Sequence, residues 1–437
     1  MTTALTRRVL IFELIIAPLL LGGARPWAMA LLALLVAIAL VGQIIHQRKS
    51  PECGFSNAMR GICLAGGIAC VWLALQTLPI WPSSLTLPFQ TTSLALAPAR
   101  TPDAVLYGMW LGAIVMLGAT QNDLKNQLAV ICRALVASAV LQAAIAFVLF
   151  AIDAPGTLWF VKTAHINDFT GTFANRNAFC ALMAAGFFAC LYLWQRPTGT
   201  LRDKLDRHGG WLALAILLFL SALASHSRAG ILALIMGSLI FIWLAIPGRN
   251  RAKTLALLAT VIVMTGAVFA TPALTARFAQ LARRDWLQRD DVWQSAITAI
   301  MHRPLTGYGP DGIAAALQYF ASPGLNTQAR WASSHNLWLD GLLVLGVPVF
   351  LLISGLVGYV LISALRDLAE QAKTRPQFAL VMAVLTAFLV QSLFDGIATM
   401  PAVILPVAIM VGLVIHPYQT AHAPASSPQP ATSRPAA

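Results

Sequence analysis

Charge is scarce in this chain. Asp, Glu, Lys and Arg make up 10% of its 437 residues, where an ordinary soluble domain carries roughly a quarter. A soluble fold of this size would be left with too little polar surface to face water, which sets soluble classes aside. Acid is scarcer than base: 16 Asp and Glu stand against 29 Lys and Arg, a formal net charge of +13. No soluble basic domain or aromatic-basic module accompanies that excess, so nucleic acid is not an expected partner. The six cysteines, Cys53, Cys63, Cys70, Cys132, Cys180 and Cys190, include no C-x-x-C pair. Neither a zinc site nor a redox motif is supported, and they read as small apolar packing residues. A G-x-S-x-G elbow, a Walker A loop and an H-E-x-x-H pair are all missing, and no internal repeat is visible.

What is abundant is apolar sequence. Hydrophobic residues make up 58% of the chain, in runs of about 17 to 25 residues, the length that crosses a hydrocarbon layer. The expected fold is all-α and polytopic, with about twelve membrane spans: 9–24, 27–45, 60–80, 103–120, 127–150, 174–194, 211–225, 229–246, 254–271, 336–362, 377–394 and 401–416. Arg7-Arg8 before the first run raises the alternative of a signal peptide. Pro26-Trp27 and an immediate second run favour a retained first helix, forming a tight hairpin with the next. With both termini in the cytoplasm, every short inner connection carries Lys or Arg, the positive-inside pattern. Residues 1–416 then form a single transmembrane domain. The tail 417–437, rich in Pro, Ala and Ser, is expected to be disordered in the cytoplasm.

That orientation leaves a second set of cations outside: Arg25, Arg100, Lys162, Arg176, Arg228, Arg277, Arg283, Arg284, Arg289, Arg303 and Arg330. Topology does not explain them, whereas an anionic ligand would. Several lie in the long periplasmic loop 272–335, the one extramembrane segment long enough to fold by itself. Within it, 277–300 reads as an amphipathic helix or two at the membrane surface, broken at Pro304 and followed by a Gly-rich turn. Arg228, in Ser225-His226-Ser227-Arg228, sits at a membrane edge, where a charge is costly; it either serves a site or snorkels to lipid phosphate. Arg176 begins a span, and a helix N-terminus suits an anion, while Asn175 beside it suits a cap. His335-Asn336 opens the tenth span. Cations around it are expected to disfavour the imidazolium, leaving a neutral ring able to accept a proton.

Four motifs occur in order: GTFANRNAF at 171–179, SHSRAG at 225–230, RDDVWQSAITAIMHRPLTGYGPDG at 289–312 and SSHNLWLDGLLVLGVP at 333–348. Together they resemble the O-antigen ligase and polymerase family of bacterial envelope glycosyltransferases, over a core of 170–360. The resemblance implies an inner-membrane enzyme with a periplasmic active site. Its donor would be a glycan on polyprenyl (undecaprenyl) diphosphate, and its acceptor a hydroxyl, most naturally of lipid A–core. Polymerases of the same family extend another lipid-linked glycan instead. By the same resemblance, Arg228 and Arg289 grip the diphosphate, with Arg176 at the same donor site. His335 activates the acceptor hydroxyl, and Asn175, Asn177, Ser227 and Asn336 support them. No metal or other cofactor is then required, and inversion in one step is expected, since no carboxylate nucleophile is evident. A rival of another class is a transporter or flippase for a lipid-linked anion, which would more naturally show inverted repeats.

Overall fold

The computed structural model describes residues 2–49, 56–121, 123–162, 166, 168–195, 200–246, 248, 250–252, 254–256, 259, 289–370 and 375–415. Among them the regular structure is helical, with no strand beyond one isolated bridge between Gly156 and Val161. The main helices are α1 (Thr2–Leu19), α2 (Pro26–Lys49), α3 (Asn57–Thr77), α4 (Thr101–Ala119), α5 (Leu124–Ala151), α6 (Arg176–Gln195), α7 (Leu201–Ala224) and α8 (Arg228–Ala245). They are followed by α9 (289–302), α10 (Ile313–Tyr319), α11 (Leu337–Leu345), α12 (Val347–Glu370), α13 (Arg375–Ser392) and α14 (Pro401–Val414).

Among the described residues 9 helices are long and apolar enough to cross a membrane: α2 to α8, α12 and α13. The chain is a membrane protein. α1 is long enough but carries Arg7, Arg8 and Glu13; α14 is apolar but shorter. The expected span 254–271 lies almost wholly outside the described residues, as does the tail 417–437.

Two local features shape the loop-bearing end of the bundle. α1 stops at Leu19 and the chain reverses through Leu21–Gly23 into α2, the expected hairpin. Gly22 and Gly23 both take positive φ there (71° and 76°), where a side chain would collide with Phe173 and Pro401 respectively. The expected single span 336–362 is a correction: it is two helices, α11 and α12. Gly346 separates them in a left-handed conformation (φ 75°), and Pro348 in the first turn of α12 has no N–H to extend α11.

α6 is the central helix and α12 a peripheral one; 67% of the membrane window of the first is buried against 11% of the second. α6 packs on α5, α7, α8 and α13, and α8 lies closely along α13. Gly230 of α8 meets Cys180 of α6 so tightly that any Cβ there would strike its sulfur. Cys132, Cys180 and Cys190 are all buried packing residues; Cys53 lies outside the described residues. Gly118 and Gly412 bring α4 and α14 together in the same manner, close packing of the kind that drives association where lipid offers no hydrophobic contrast.

The segment from α9 to α11 folds into a small unit with its own core of Val292, Ala296, Tyr308, Leu317 and Leu343, with Phe89 packed against it. Arg303, expected among the cations available to a ligand, is instead buried at its centre. Its guanidinium donates to the carbonyls of Leu87 (2.8 Å), Leu94 (3.0 Å) and Thr86, and lies over the Tyr308 ring at 5.0 Å. The unit is moored to α3 by Gln76 Nε2, which donates to the carbonyls of Thr306 (2.7 Å) and Val344 (2.8 Å), and by Trp72 Nε1, which donates to that of Leu345 (2.8 Å). This docking places the start of α11 over the N-termini of α6 and α8.

Candidate active site

Three helix N-termini and one turn converge at this end. Asn175 caps α6: its Oδ1 accepts from the backbone N–H of Asn177 at 2.7 Å. Ser227 caps α8, accepting from Gly230 N–H at 3.1 Å. Asn336 caps α11, accepting from Trp338 N–H (2.9 Å) and Leu339 N–H (3.2 Å). Each cap satisfies an N–H the helix cannot bond internally. The capping residues, or their neighbours, then reach each other. Ser227 Oγ donates to Asn177 Oδ1 at 2.6 Å, and Gln391 Nε2 donates to the Asn177 carbonyl at 2.6 Å. Asn336 Nδ2 donates to the Leu393 carbonyl at 3.1 Å.

The centre of the network is a residue that the motifs do not contain. Asp395 lies in the turn between α13 and α14, with its side chain only 3% accessible. Its Oδ1 faces His335 Nδ1 at 3.2 Å; its Oδ2 accepts from Asn175 Nδ2 at 3.5 Å and from Asn177 Nδ2. Burial works against charge on this carboxyl, but hydrogen bonding and charge from His335, with Asn177 and Arg289, outweigh it and hold the group below the usual carboxylate range. The anion beside the start of α6 is thus the protein's own carboxylate. Asp395 had one legible signal: an acid stranded between two apolar spans is costly unless it is used.

His335 is 38% accessible and so reachable where Asp395 is not. Its backbone is held at φ 56° by a rigid support. Ser333 Oγ and Ser334 Oγ both donate to the buried Asp340 at 2.6 Å, Ser334 N–H does so at 2.7 Å, and His335 N–H donates to Ser333 Oγ at 2.9 Å. Trp331 stands edge-on to the imidazole at 6.0 Å. The charged group the ring faces directly is an anion, the Asp395 carboxylate. A carboxylate accepting from Nδ1–H leaves Nε2 as the nitrogen that can accept a proton.

The cations differ in their engagement. Arg228 is the exposed first residue of α8, and Arg289, half-buried in α9, is close enough to Asp395 to favour its ionised form. Arg176 Nη1 is paired with Asp168 Oδ2 at 2.9 Å, while Asp168 Oδ1 faces His226 Nδ1 at 2.8 Å. Arg277, Arg283 and Arg284 lie outside the described residues. Among the described residues no three His, Cys, Asp or Glu side chains converge in a metal-holding group.

The arrangement therefore combines a carboxylate-oriented imidazole with arginines carried on separate helices. Geometry of this kind suits removal of a proton from a hydroxyl beside a bound anion. No curated protein matches the chain. Residues 213–354 match the family model described as O-Antigen ligase, a narrower stretch than the expected 170–360 that leaves Asn175, Arg176, Asn177 and Asp395 outside it. The stretch that resembles an O-antigen ligase carries Ser227, Arg228, Arg289, His335 and Asn336.

Proposed function

We propose that the protein is a glycosyltransferase of the bacterial inner membrane that moves a glycan from polyprenyl diphosphate to an acceptor hydroxyl at the periplasmic face, lipid A–core being the acceptor that fits best. The observation that carries this reading is the Asp395–His335 pair, joined through Asn177 and Ser227 to the first turn of the helix bearing Arg228. His335 Nε2 takes the proton of the acceptor hydroxyl. The freed oxygen bonds to the anomeric carbon as the bond from that carbon to the diphosphate oxygen breaks, its electron pair leaving on the diphosphate. Arg228 and Arg289 stabilise that growing charge, with Arg176 contributing from its place against Asp168. A fixed donor of this kind is worth about 10²–10³ in rate. Arginine suits the task because its planar fork binds two phosphate oxygens at once. Asn175, Asn177, Ser227 and Asn336 position these groups, as their hydrogen bonds support. One displacement inverts the anomeric centre.

The test uses the purified full chain in detergent, with undecaprenyl-diphosphate-linked glycan and lipid A–core glycolipid. Transfer is expected without nucleotide or ion gradient, which a flippase would not perform. His335→Ala is expected to abolish transfer while donor binding persists; wild-type rates in that variant would remove His335 from the reaction.

A further inference from the structure

A second feature at the same end is absorbed neither by the motifs nor by the arginines. A cleft of about 660 Å³ opens at this end, lined by close chain neighbours of His335 and Asp395 rather than by the pair itself, a volume typical of small-molecule sites. Leu337, two residues after His335, and Ala398, three after Asp395, form part of its wall. The rest comes from the α1–α2 turn, α2, the Pro98–Arg100 turn, α4, α13, the Ile397–Thr399 turn, α14 and the Pro310-Asp311 turn; α6, α7, α8 and α9 contribute nothing to it. The cleft is therefore built from other elements than those that carry Arg176, Arg228 and Arg289; the His335–Asp395 pair is bonded to Asn175 and Asn177 at the start of α6 and adjoins the cleft along the chain through Leu337 and Ala398.

Its chemistry is divided. The interior is apolar, with Leu106, Leu111, Phe388 and Ile404. The rim holds Arg25, Arg100, Asp103 and Asp311, all exposed. Arg100 and Asp103 form an open pair at 3.5 Å, their side chains 60% and 55% accessible, so both have free edges. Asp311 is held at φ 56°, a conformation a non-glycine residue rarely adopts, in a turn closed by Gly312 N–H on the Gly309 carbonyl at 3.2 Å. Two guanidinium groups and two carboxylates leave the rim with no net charge. A diphosphate would meet two repelling carboxylates there. A sugar meets what it needs, since carboxylates accept from hydroxyls and guanidinium groups donate to ring, hydroxyl or phosphate oxygens.

We infer that this cleft is the acceptor's seat: it takes the hydroxyl-rich headgroup of a glycolipid at the Arg25, Arg100, Asp103 and Asp311 rim and the apolar part of that molecule against its floor. The inference rests on the proposed function and deepens it. A displacement needs the incoming hydroxyl and the departing diphosphate on opposite sides of the anomeric carbon. The cleft supplies the first side and the arginine-bearing helices the second, with the base between them.

The test measures binding apart from transfer. The full chain in detergent is titrated with lipid A–core glycolipid and, separately, with undecaprenyl diphosphate, using native mass spectrometry. The variants are Arg100→Ala, Asp311→Asn and Ala104→Trp, the last filling the cleft without touching His335 or Asp395; thermal melting checks that each folds. Loss of a charged hydrogen bond is expected to weaken glycolipid binding about tenfold or more. Ala104→Trp should abolish it, and undecaprenyl diphosphate binding should stay unchanged. Unaltered glycolipid binding in the folded variants, a fall in undecaprenyl diphosphate binding, or no glycolipid binding by the wild type would each overturn the inference. Failure of the proposed function reads differently: the wild type would transfer nothing, while glycolipid binding still depended on the cleft.

Discussion

Asp395 occupies a turn between two apolar helices, nearly sealed from solvent, and its two oxygens face three side chains from two other parts of the chain. A carboxylate so placed has little chance of meeting substrate, but it governs the tautomer and direction of the imidazole it faces. Asp395→Asn is expected to lower transfer by about 10²–10⁴ with little change in donor binding, because an amide no longer selects the productive tautomer. A rate near that of the wild type would exclude this positioning role. Its titration adds a second readout. The carboxyl is held below the usual carboxylate range in the folded protein, so its stabilising contribution is complete above the unfolded value of about 4 and is lost as pH falls through the lowered folded value. Melting of the detergent-solubilised protein should therefore show a steeper acid limb below about pH 4 than melting of Asp395→Asn; equal limbs would show that the carboxylate contributes nothing.

Among elements, the unit from α9 to α11 decides where His335 stands. It depends on one buried cation. Arg303 satisfies three carbonyls of the 86–94 segment at once and so clamps that segment, with its Phe89, against Tyr308. Removing it leaves buried acceptors unpaired, at roughly 1–3 kcal/mol for each such group. Arg303→Ala is expected to melt earlier and expose this unit to protease, and Arg303→Lys should rescue little, since an ammonium lacks the planar fork. Protease resistance equal to the wild type would refute the clamp. The sequence marks Arg303 only as one more cation outside the membrane. Its burial follows from the cis-distant carbonyls of 86–94, more than two hundred residues earlier, which no local pattern links to it. The break at Gly346, by contrast, is legible in Gly-Val-Pro once the demands of helix geometry are applied to it.

At the scale of the whole molecule, the placement of Lys and Arg predicts which face carries the site. The exposed Gln328 lies in the unit that supports His335. In a chain freed of its native cysteines, Gln328→Cys is expected to react with a membrane-impermeant maleimide added to intact spheroplasts. Labelling only after the membrane is opened would place the site in the cytoplasm and sink the proposed orientation.

Composition and the spacing of apolar runs determined, without coordinates, that this is a helical membrane protein, because burying uncharged runs of such length in lipid satisfies every backbone hydrogen bond within the helix. The motifs singled out Arg228, Arg289, His335 and their neighbours, since helix caps and ionisable groups at a membrane edge carry a local physical signature. Only the tertiary structure decided which charges are free and which are spent. Arg303 is used up inside the fold, Arg176 is tied to Asp168, and Asp395 comes from beyond the recognised segment to stand against His335. Such pairings depend on contacts between residues far apart in the chain, and side chains distant in sequence leave no periodicity to read.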